Sequence, residues 1–218
     1  MATSVGIREV VRSYDVPVVR AYATVRFHIL RQRFLDEIGQ YLPEAGDILD
    51  VGCGFGLFAL YYAGQWPARR LHGLDRNARR IAMATASAAK LGLANCRFRV
   101  ADAATVSMDT PLDVVYMLDI LHHIPQGAVA PLVARIARQL RPGARLVVKD
   151  VADRPAAKRW FTWALDKAMD YRTPVHYWSI GDMRRLLVEH GFVVHVHQMV
   201  DYLPYPHVIY VCSRSETG

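Results

Sequence analysis

The stretch from Ile48 to Ala59 constrains the fold of this chain more than any other part of the sequence. It begins as an apolar strand, passes through a turn with glycine at positions 52, 54 and 56, and continues as a helix-like run. Asp75 then closes the next predicted strand, Leu71–Asp75. A glycine turn lets the backbone approach a ligand, and an acid at the end of the following strand accepts hydrogen bonds from ribose hydroxyls. This order predicts an open α/β sheet that holds a nucleoside.

The glycine spacing by itself fits more than one nucleoside cofactor. Gly54, Gly56 and Ala59 match the dinucleotide pattern G-x-G-x-x-A, so a nicotinamide or flavin enzyme is an alternative. Asp50, however, lies two residues before the first glycine, where its charge would repel a pyrophosphate. A buried acid there better suits a cationic ligand group such as an amino-acid ammonium.

Acidic residues also follow the third and fourth predicted strands. Asp102 comes after the run Phe98–Ala101, and Asp119 comes after Val114–Leu118. A single aspartate of this kind is readily explained as a loop residue or a helix cap. Acids at four successive strand ends are far less common by chance, so together with Asp50 and Asp75 they indicate a ligand site.

With these features the chain resembles the class I S-adenosylmethionine-dependent methyltransferases. The resemblance covers roughly Asp47 to Cys212 and is carried by residues 50–56 (DVGCGFG), 73–75 (GLD), 100–103 (VADA), 113–125 (DVVYMLDILHHIP) and 140–143 (LRPG). Tyr14 and Asp15, with the helix after them, are more loosely similar to the ubiquinone and menaquinone C-methyltransferase group. The resemblance implies an α/β, Rossmann-like fold. Its sheet has seven mostly parallel strands with the last antiparallel, helices on both faces, and an N-terminal helical cap.

The resemblance also implies how the chain would hold S-adenosyl-L-methionine and its product S-adenosyl-L-homocysteine. The glycine turn would surround the methionine part, Asp75 would bind the ribose diol, and Asp102 with the backbone of Ala103 would bind the adenine amino group. Arg76 replaces the apolar residue usual after the ribose acid, and would either stack on adenine or point outward. The full predicted set for the cofactor is Asp50, Gly52, Cys53, Gly54, Gly56, Asp75, Arg76, Asp102, Ala103 and Asp119.

The acceptor side of the site is predicted to follow the fourth strand. Asp119, His122 and His123 are the acid–base candidates, with one histidine pointing inward and one outward; a purely structural role for both is the alternative. The sequence after the fourth strand differs from the motifs with which nucleobase N-methyltransferases bind planar amine nitrogens. An aromatic insert supplies Tyr171, His176 and Tyr177 as lid candidates, or simply packs on the sheet edge. Residues Tyr14, Tyr22 and His28 are expected to cap the same pocket.

Periodicity predicts the remaining elements. Residues 18–41 form one long amphipathic helix, with an apolar stripe of Tyr22, Val25, Ile29, Leu30, Phe34, Ile38 and Tyr41. Leu132, Ile136 and Leu140 mark a helix before the strand Ala144–Lys149. Strands Phe192–His197 and Val208–Cys212 form a closing hairpin.

Length and composition predict one folded domain of 218 residues. Its parts are an N-terminal cap (1–46), a cofactor-binding half (47–150), the aromatic lid insert (151–178), and a C-terminal helix and hairpin (179–218). Three widely separated cysteines argue against a disulfide framework or a metal site and fit a reducing cytoplasm. Cys53 is interpreted as a packing residue.

No apolar run approaches the length of a membrane span, and the first residues do not have the pattern expected of a secretory signal.

The formal charge of +7 comes from basic residues that are spread along the chain. One cluster, Arg69, Arg70, Arg76, Arg79 and Arg80, is interpreted as the solvated face or the end of a helix. Nucleic acid is therefore disfavoured as a partner, whereas contact of the basic N-terminal helix with a membrane surface stays open. The oligomeric state is left undetermined.

The predicted function is methyl transfer to a small, hydrophobic or aromatic acceptor, at oxygen or carbon. The alternatives are an RNA or phospholipid-headgroup methyltransferase, an inactive cofactor-binding partner protein and, more distantly, a dehydrogenase.

Overall fold

The computed structural model describes residues 5–105, 108, 110–151, 176–199 and 207–214. Its strands form a seven-stranded sheet in the order β3-β2-β1-β4-β5-β7-β6. The strands are β1 (Gly46–Val51), β2 (Arg69–Asp75), β3 (Cys96–Val100), β4 (Leu112–Leu118), β5 (Leu140–Val151), β6 (Phe192–Met199) and β7 (His207–Arg214). The helices are α1 (Ile7–Ser13), α2 (Pro17–Gly39), α3 (Leu57–Gln65), α4 (Ala78–Lys90), α5 (Gln126–Gln139) and α6 (Ile180–Glu189), with a short 3₁₀ turn at Leu121–His123.

Strand direction confirms the predicted fold class. Strands β1, β2 and β3 pair in parallel, with Ile48 opposite Leu71 and Leu71 opposite Cys96. Strand β7 runs antiparallel to both β5 and β6, with Val211 opposite Val147 and His195. A mostly parallel sheet closed by an antiparallel strand is the predicted Rossmann-like arrangement. The predicted C-terminal hairpin is confirmed, and each of its strands is longer than expected.

The chain divides into two compact units, with the boundary between Val114 and Val115 inside β4. In the first unit, α3 and α4 pack on β2 and β3, and α1 packs on α2, α3 and α4. The second unit contains α5, α6 and the antiparallel strands, with α6 packed on β6 and β7. The boundary falls within the predicted cofactor-binding half, 47–150, and the organisation as one methyltransferase domain stays a prediction. Within the described ranges, no helix has the length and apolarity needed to cross a bilayer.

The long N-terminal helix is kinked, which the sequence pattern does not reveal. The backbone of Arg31 has φ 40° and ψ 168°, so α2 consists of two helical pieces that meet at this residue. The buried residues Val19, Ala23, Phe27, Leu30, Phe34 and Ile38 keep a helical spacing through the kink. Val25, predicted to lie on the apolar stripe, is 54% exposed because Ala23 and Phe27 occupy the buried side. Helix α1 was not predicted.

Helix α5 ends one residue before the predicted position. Leu140, expected on the helix, has extended backbone (φ −76°, ψ 136°) and begins β5. Its carbonyl accepts a hydrogen bond of 2.7 Å from the Arg214 guanidinium at the end of β7. Leu140 and Arg214 are far apart in the sequence, so local periodicity does not record this contact. The pattern of apolar residues therefore misplaces the boundary between α5 and β5.

One arginine of the cluster predicted to be solvated is buried. Arg69 is 4% exposed, and its guanidinium donates to three carbonyl oxygens: Pro43 at 2.7 Å, Tyr62 at 3.2 Å and Leu42 at 3.3 Å. These carbonyls lie just beyond α2 and within α3, where buried acceptors need a donor. Arg69 therefore joins the start of β2 to these two helices and does not contribute to a binding surface.

We expect Arg69→Met to lower the free energy of unfolding by about 3 kcal/mol, because hydrogen bonds from a charged donor are lost and buried carbonyls are left without it. The matched control is Arg79→Met on the exposed side of α4, which should change stability by less than about 0.5 kcal/mol. Urea unfolding followed by circular dichroism measures both. Equal losses in the two variants would contradict the structural role of Arg69.

Candidate functional site

The turn after β1 has the backbone conformation that requires glycine. Gly52, Gly54 and Gly56 have φ of 77°, 56° and 78°. The backbone N–H groups of Gly52 and Cys53 both donate to the carbonyl of Leu74, at 2.8 and 2.9 Å. The turn is therefore fastened to the end of β2, and a side chain at these positive-φ positions would be strained.

Two of these glycines serve different purposes. A Cβ atom at Gly56 would lie 2.7 Å from the Phe98 ring, so this glycine allows α3 to begin close against β3. A Cβ atom at Gly54 would meet nothing within 4 Å, so the backbone at Gly54 borders open space. Gly54 is thus the glycine of this pair whose backbone is left open on the side where a Cβ would point.

Asp75 lies beside this turn, as the sequence predicts for a ribose-binding acid. One carboxylate oxygen accepts from the Gly54 N–H at 3.0 Å, and the other accepts from the Asn77 N–H at 2.8 Å. Asn77 in turn caps α4 by accepting from the Arg80 N–H. Asp50, at the end of β1, is only 2% exposed. The strand ends therefore place one buried and one half-buried carboxylate around the glycine turn.

Arg76 points outward. Its side chain is 81% exposed, and its Nε lies 3.5 Å from a carboxylate oxygen of Asp102. The other oxygen of Asp102 accepts from the Ala104 N–H at 2.9 Å, which orders the loop containing Ala103. Of the two sequence interpretations of Arg76, the structure matches the outward one. The adenine-binding roles of Asp102 and Ala103 stay predictions.

The N-terminal segment contacts the glycine turn, as expected for a cap. The Tyr14 hydroxyl donates to the Phe55 carbonyl at 2.7 Å, and the Tyr22 ring lies 5.6 Å from the Phe55 ring. Burial raises the pKa of Tyr14, with smaller contributions from nearby thiols, so its hydroxyl stays a donor. His28, predicted to share in the cap, is exposed on α2.

Cys53 has the features of a packing residue. It is 9% exposed, and burial, followed by the carboxylates of Asp50 and Asp75, raises the pKa of its thiol. Burial also raises the pKa of Cys96, and that of Cys212 to about 12. Because the thiolate is the reactive form, all three cysteines should be inert in the native protein.

We therefore expect no thiol to react with Ellman's reagent at pH 8 in the native protein, and three thiols to react after denaturation in guanidinium chloride. Cys53→Ala should leave the native result unchanged. Rapid reaction of one native thiol that Cys53→Ala removes would contradict the packing role and support a reactive cysteine in the turn.

In the second unit, Asp119 follows β4 in an uncommon backbone conformation. Its φ is 57°, a left-handed value that is uncommon for residues other than glycine but that aspartate and asparagine adopt more readily than most. Its N–H donates to the Lys149 carbonyl at 2.9 Å, and its carboxylate forms an ion pair with the Lys149 ammonium. The Lys149 side chain is 1% exposed. Asp119 is therefore fastened to Lys149, near the end of β5, through both its backbone and its side chain.

His122 is held by the next residue of β5. The Asp150 carboxylate accepts from the His122 N–H at 3.0 Å and is bonded to the imidazole Nδ1 through its other oxygen. His122 is 2% exposed and Asp150 is 7% exposed. A carboxylate on Nδ1 fixes the orientation of the ring, so that Nε2 is the nitrogen through which a proton would be exchanged. Sequence reasoning missed Lys149 and Asp150, although two adjacent charges in an apolar strand were an available signal.

The neighbouring predicted residues surround His122. The His123 ring centroid lies 4.1 Å from that of His122; His122 is buried and His123 is half-buried. The Tyr177 ring is stacked on His122 at 6.2 Å with an interplanar angle of 15°, and the His176 N–H donates to the His122 carbonyl at 2.7 Å. The structure thus brings these two lid candidates to the histidine. Tyr171 and the rest of the insert, 152–175, lie outside the described residues.

Within the described ranges, no group of three or more His, Cys, Asp or Glu side chains is placed to hold a metal ion.

Comparison with known proteins establishes the family. The model of a methyltransferase domain family matches residues 22–197. The chain therefore belongs to this methyltransferase domain family, and the predicted resemblance is confirmed.

Two curated relatives indicate the breadth of the family. Trans-aconitate 2-methyltransferase of Pseudomonas paraeruginosa (strain DSM 24068 / PA7) is 31% identical over 156 residues, which are 70% of this chain and 52% of that protein. O-methyltransferase cnsE of Penicillium expansum is 33% identical over 176 residues, which are 76% of this chain and 59% of that protein. The chain thus spans about half the length of the curated relatives it matches.

Solved structures confirm the fold. Magnesium protoporphyrin IX methyltransferase from Synechocystis PCC 6803 with bound SAM has a TM-score of 0.65 at 20% identity, over 84% of this chain and 79% of that one. The [4+2]-cyclase SpnF has a TM-score of 0.69 at 20% identity, over 84% of this chain and 80% of that one. Because these two proteins are named for different reactions, the fold alone does not fix the chemistry.

Proposed function

We propose that this chain is an S-adenosylmethionine-dependent methyltransferase that methylates a hydroxyl oxygen of a small acceptor. The observation that carries the proposal is the buried pair of His122, in the segment that follows β4, and Asp150, near the end of β5. The family supports methyl transfer, and the pair distinguishes among acceptors.

The first unit suits the donor. The open space at Gly54 admits a ligand against the backbone, Asp75 offers acceptor oxygens for a ribose diol, and the buried Asp50 suits an ammonium. S-adenosyl-L-methionine, when bound, supplies a methyl group on a sulfonium that is its own leaving group. The positive φ at Gly54 favours glycine, which has no side chain to occupy this space.

The second unit suits an acceptor that must lose a proton. A hydroxyl gains a C–O bond to the methyl carbon and releases its proton, which His122 Nε2 would accept. Asp150 holds the ring in the matching tautomer and stabilises the imidazolium that results, since a carboxylate next to a buried cation offsets its desolvation. His122 is thus the proposed base and Asp150 a positioning residue.

A carboxylate acceptor is the second candidate. It is favoured by the relative named trans-aconitate 2-methyltransferase, whose name gives a polycarboxylate as its acceptor. A carboxylate is already an anion and requires no base, and the buried Asp150 would repel a polyanion. The His122–Asp150 pair therefore favours a neutral hydroxyl acceptor, as the name O-methyltransferase cnsE also allows.

The RNA, phospholipid and inactive alternatives lack a supporting feature of this strength. Carbon methylation also releases a proton to a base, so the position of the methyl group in the product separates it from oxygen methylation. The burial of Arg69 and Lys149 weakens the argument from positive charge that favoured RNA or phospholipid headgroups. An inactive cofactor-binding protein would not need a buried histidine oriented by a carboxylate. A cytoplasmic location fits the three buried free cysteines and stays part of the proposal.

The donor site is tested by binding. Asp75→Ala should weaken the binding of S-adenosyl-L-homocysteine about 10- to 150-fold, because the loss of one hydrogen bond to a charged acceptor costs roughly 1.5–3 kcal/mol. Arg76→Ala should change affinity less than about threefold, since this side chain is exposed. Isothermal titration calorimetry measures both, with NAD as a competing ligand class. Unchanged affinity in Asp75→Ala, or tighter binding of NAD, would overturn the donor assignment.

The base is tested by turnover. His122→Asn should lower kcat for hydroxyl acceptors about 10²- to 10⁴-fold, because general base catalysis is typically worth that much. Its affinity for S-adenosyl-L-homocysteine should stay within about twofold, and the matched His123→Asn should retain most activity. Transfer of labelled methyl from S-adenosyl-L-methionine to catechol, phenol and trans-aconitate measures this. Equal loss in the two histidine variants, or trans-aconitate as the preferred acceptor, would contradict a His122 base.

A further inference from the structure

The hydrogen bonds of the glycine turn account for its backbone donors except one. The Gly54 N–H donates to the Asp75 carboxylate at 3.0 Å, and the Gly56 N–H donates to the Cys53 carbonyl at 2.8 Å. The Phe55 N–H, which lies between these two in the chain, makes no hydrogen bond within the part of the protein that the structure describes. It is therefore the donor of the turn that remains for a ligand, next to the open space at Gly54.

The other parts of Phe55 are held by the protein. Its carbonyl accepts a hydrogen bond of 2.7 Å from the Tyr14 hydroxyl. Its ring lies 5.6 Å from the ring of Tyr22, and the Arg80 guanidinium lies 5.6 Å from the centre of the same ring. The carbonyl belongs to the same planar peptide group as the Gly56 N–H, so this group is bonded at both ends. These contacts set the orientation of Phe55, and with it that of its N–H.

Tyr14 is itself fastened on both sides. It is 2% exposed, and its carbonyl accepts from the Arg20 guanidinium at 2.8 Å. The Lys90 ammonium donates to the preceding carbonyl, that of Ser13, at 3.3 Å, and forms an ion pair with the following residue, Asp15. The short segment between α1 and α2 is thus tied to α2 and to the end of α4. The Tyr14 hydroxyl therefore reaches the turn from a fixed support.

The structure assigns Tyr14 as a positioning residue of the donor site. Its hydroxyl holds the peptide group between Phe55 and Gly56, and through this group it orients the Phe55 N–H for the donor. Without the hydroxyl the carbonyl loses its partner, so the donor has to order the turn when it binds. Tyr14 acts through the turn and takes no part in the chemical step. The inference rests on the proposed function, and it extends the donor site to the N-terminal segment.

Binding of S-adenosyl-L-homocysteine tests the assignment, and the chain offers a matched control. The buried Tyr62 hydroxyl donates to the Leu35 carbonyl at 3.0 Å, between α3 and α2. Tyr14→Phe and Tyr62→Phe each remove one such hydrogen bond, so urea unfolding should show a similar, small loss of stability in both. Calorimetry should show binding weakened about threefold to tenfold in Tyr14→Phe, and changed by less than about twofold in Tyr62→Phe.

A second measurement observes the peptide group itself. Phe55–Gly56 is the only Phe–Gly pair in the sequence, so ¹³C at the phenylalanine carbonyls and ¹⁵N in the glycines give one carbon–nitrogen correlation in the NMR spectrum. This signal should shift in ligand-free Tyr14→Phe, because the carbonyl loses its hydroxyl partner, and stay in place in Tyr62→Phe. In the wild-type protein S-adenosyl-L-homocysteine should also shift it, because the ligand binds the adjacent N–H.

Three results would overturn the assignment. They are wild-type affinity in Tyr14→Phe, an equal loss of affinity in the two variants, and a signal that does not move in Tyr14→Phe. The first would make Tyr14 purely structural, the second would indicate a general loss of stability, and the third would mean that the hydroxyl does not bond to Phe55 in solution. Failure of the proposed function looks different. The wild-type protein then does not bind S-adenosyl-L-homocysteine, or binds it without moving the signal, and the donor site and the assignment fall together.

Discussion

The bend after β1 depends on backbone that only glycine adopts without strain, and the proposed donor site depends on that bend. Gly52, Gly54 and Gly56 all have positive φ, and the bend is fastened to β2 through the Leu74 carbonyl and the Asp75 carboxylate. A side chain at Gly54 would project into the space offered to a ligand. The same carboxylate that is proposed to bind ribose therefore also shapes the turn beside it.

The end of β5 plays the corresponding part in the second unit. Successive side chains of a strand point to opposite faces, so Lys149 and Asp150 reach different parts of the segment after β4. Lys149 holds Asp119 in its left-handed conformation, and Asp150 holds both the backbone and the ring of His122. Buried ion pairs add little to stability by themselves, but they fix geometry. Here the pair with Asp150 fixes the orientation of His122, the proposed base.

Buried charges also change what the composition implies. The formal charge of +7 counts Arg69 and Lys149, yet both are buried and bonded within the protein. Arg69 supplies donors to carbonyls near the ends of two helices, and Lys149 is bonded to a site residue. Neither can form an electrostatic surface for an anionic partner. A charge count from the sequence therefore overstates attraction to nucleic acid or membranes.

The sequence by itself determined the α/β class, the acids at successive strand ends, the glycine turn and the position of the histidines after β4. These features are local: each depends on the backbone conformation of a few neighbouring residues or on where a strand ends, and nearby residues in the sequence specify both. Only the tertiary structure decided that α2 kinks at Arg31, that Arg76 turns outward, and that Lys149 and Asp150 belong with the segment after β4. Those outcomes depend on contacts between residues about 30 or more positions apart, or on the balance of packing and solvation at one side chain. No periodic pattern in the sequence records such contacts, because they arise only when the strands are brought together.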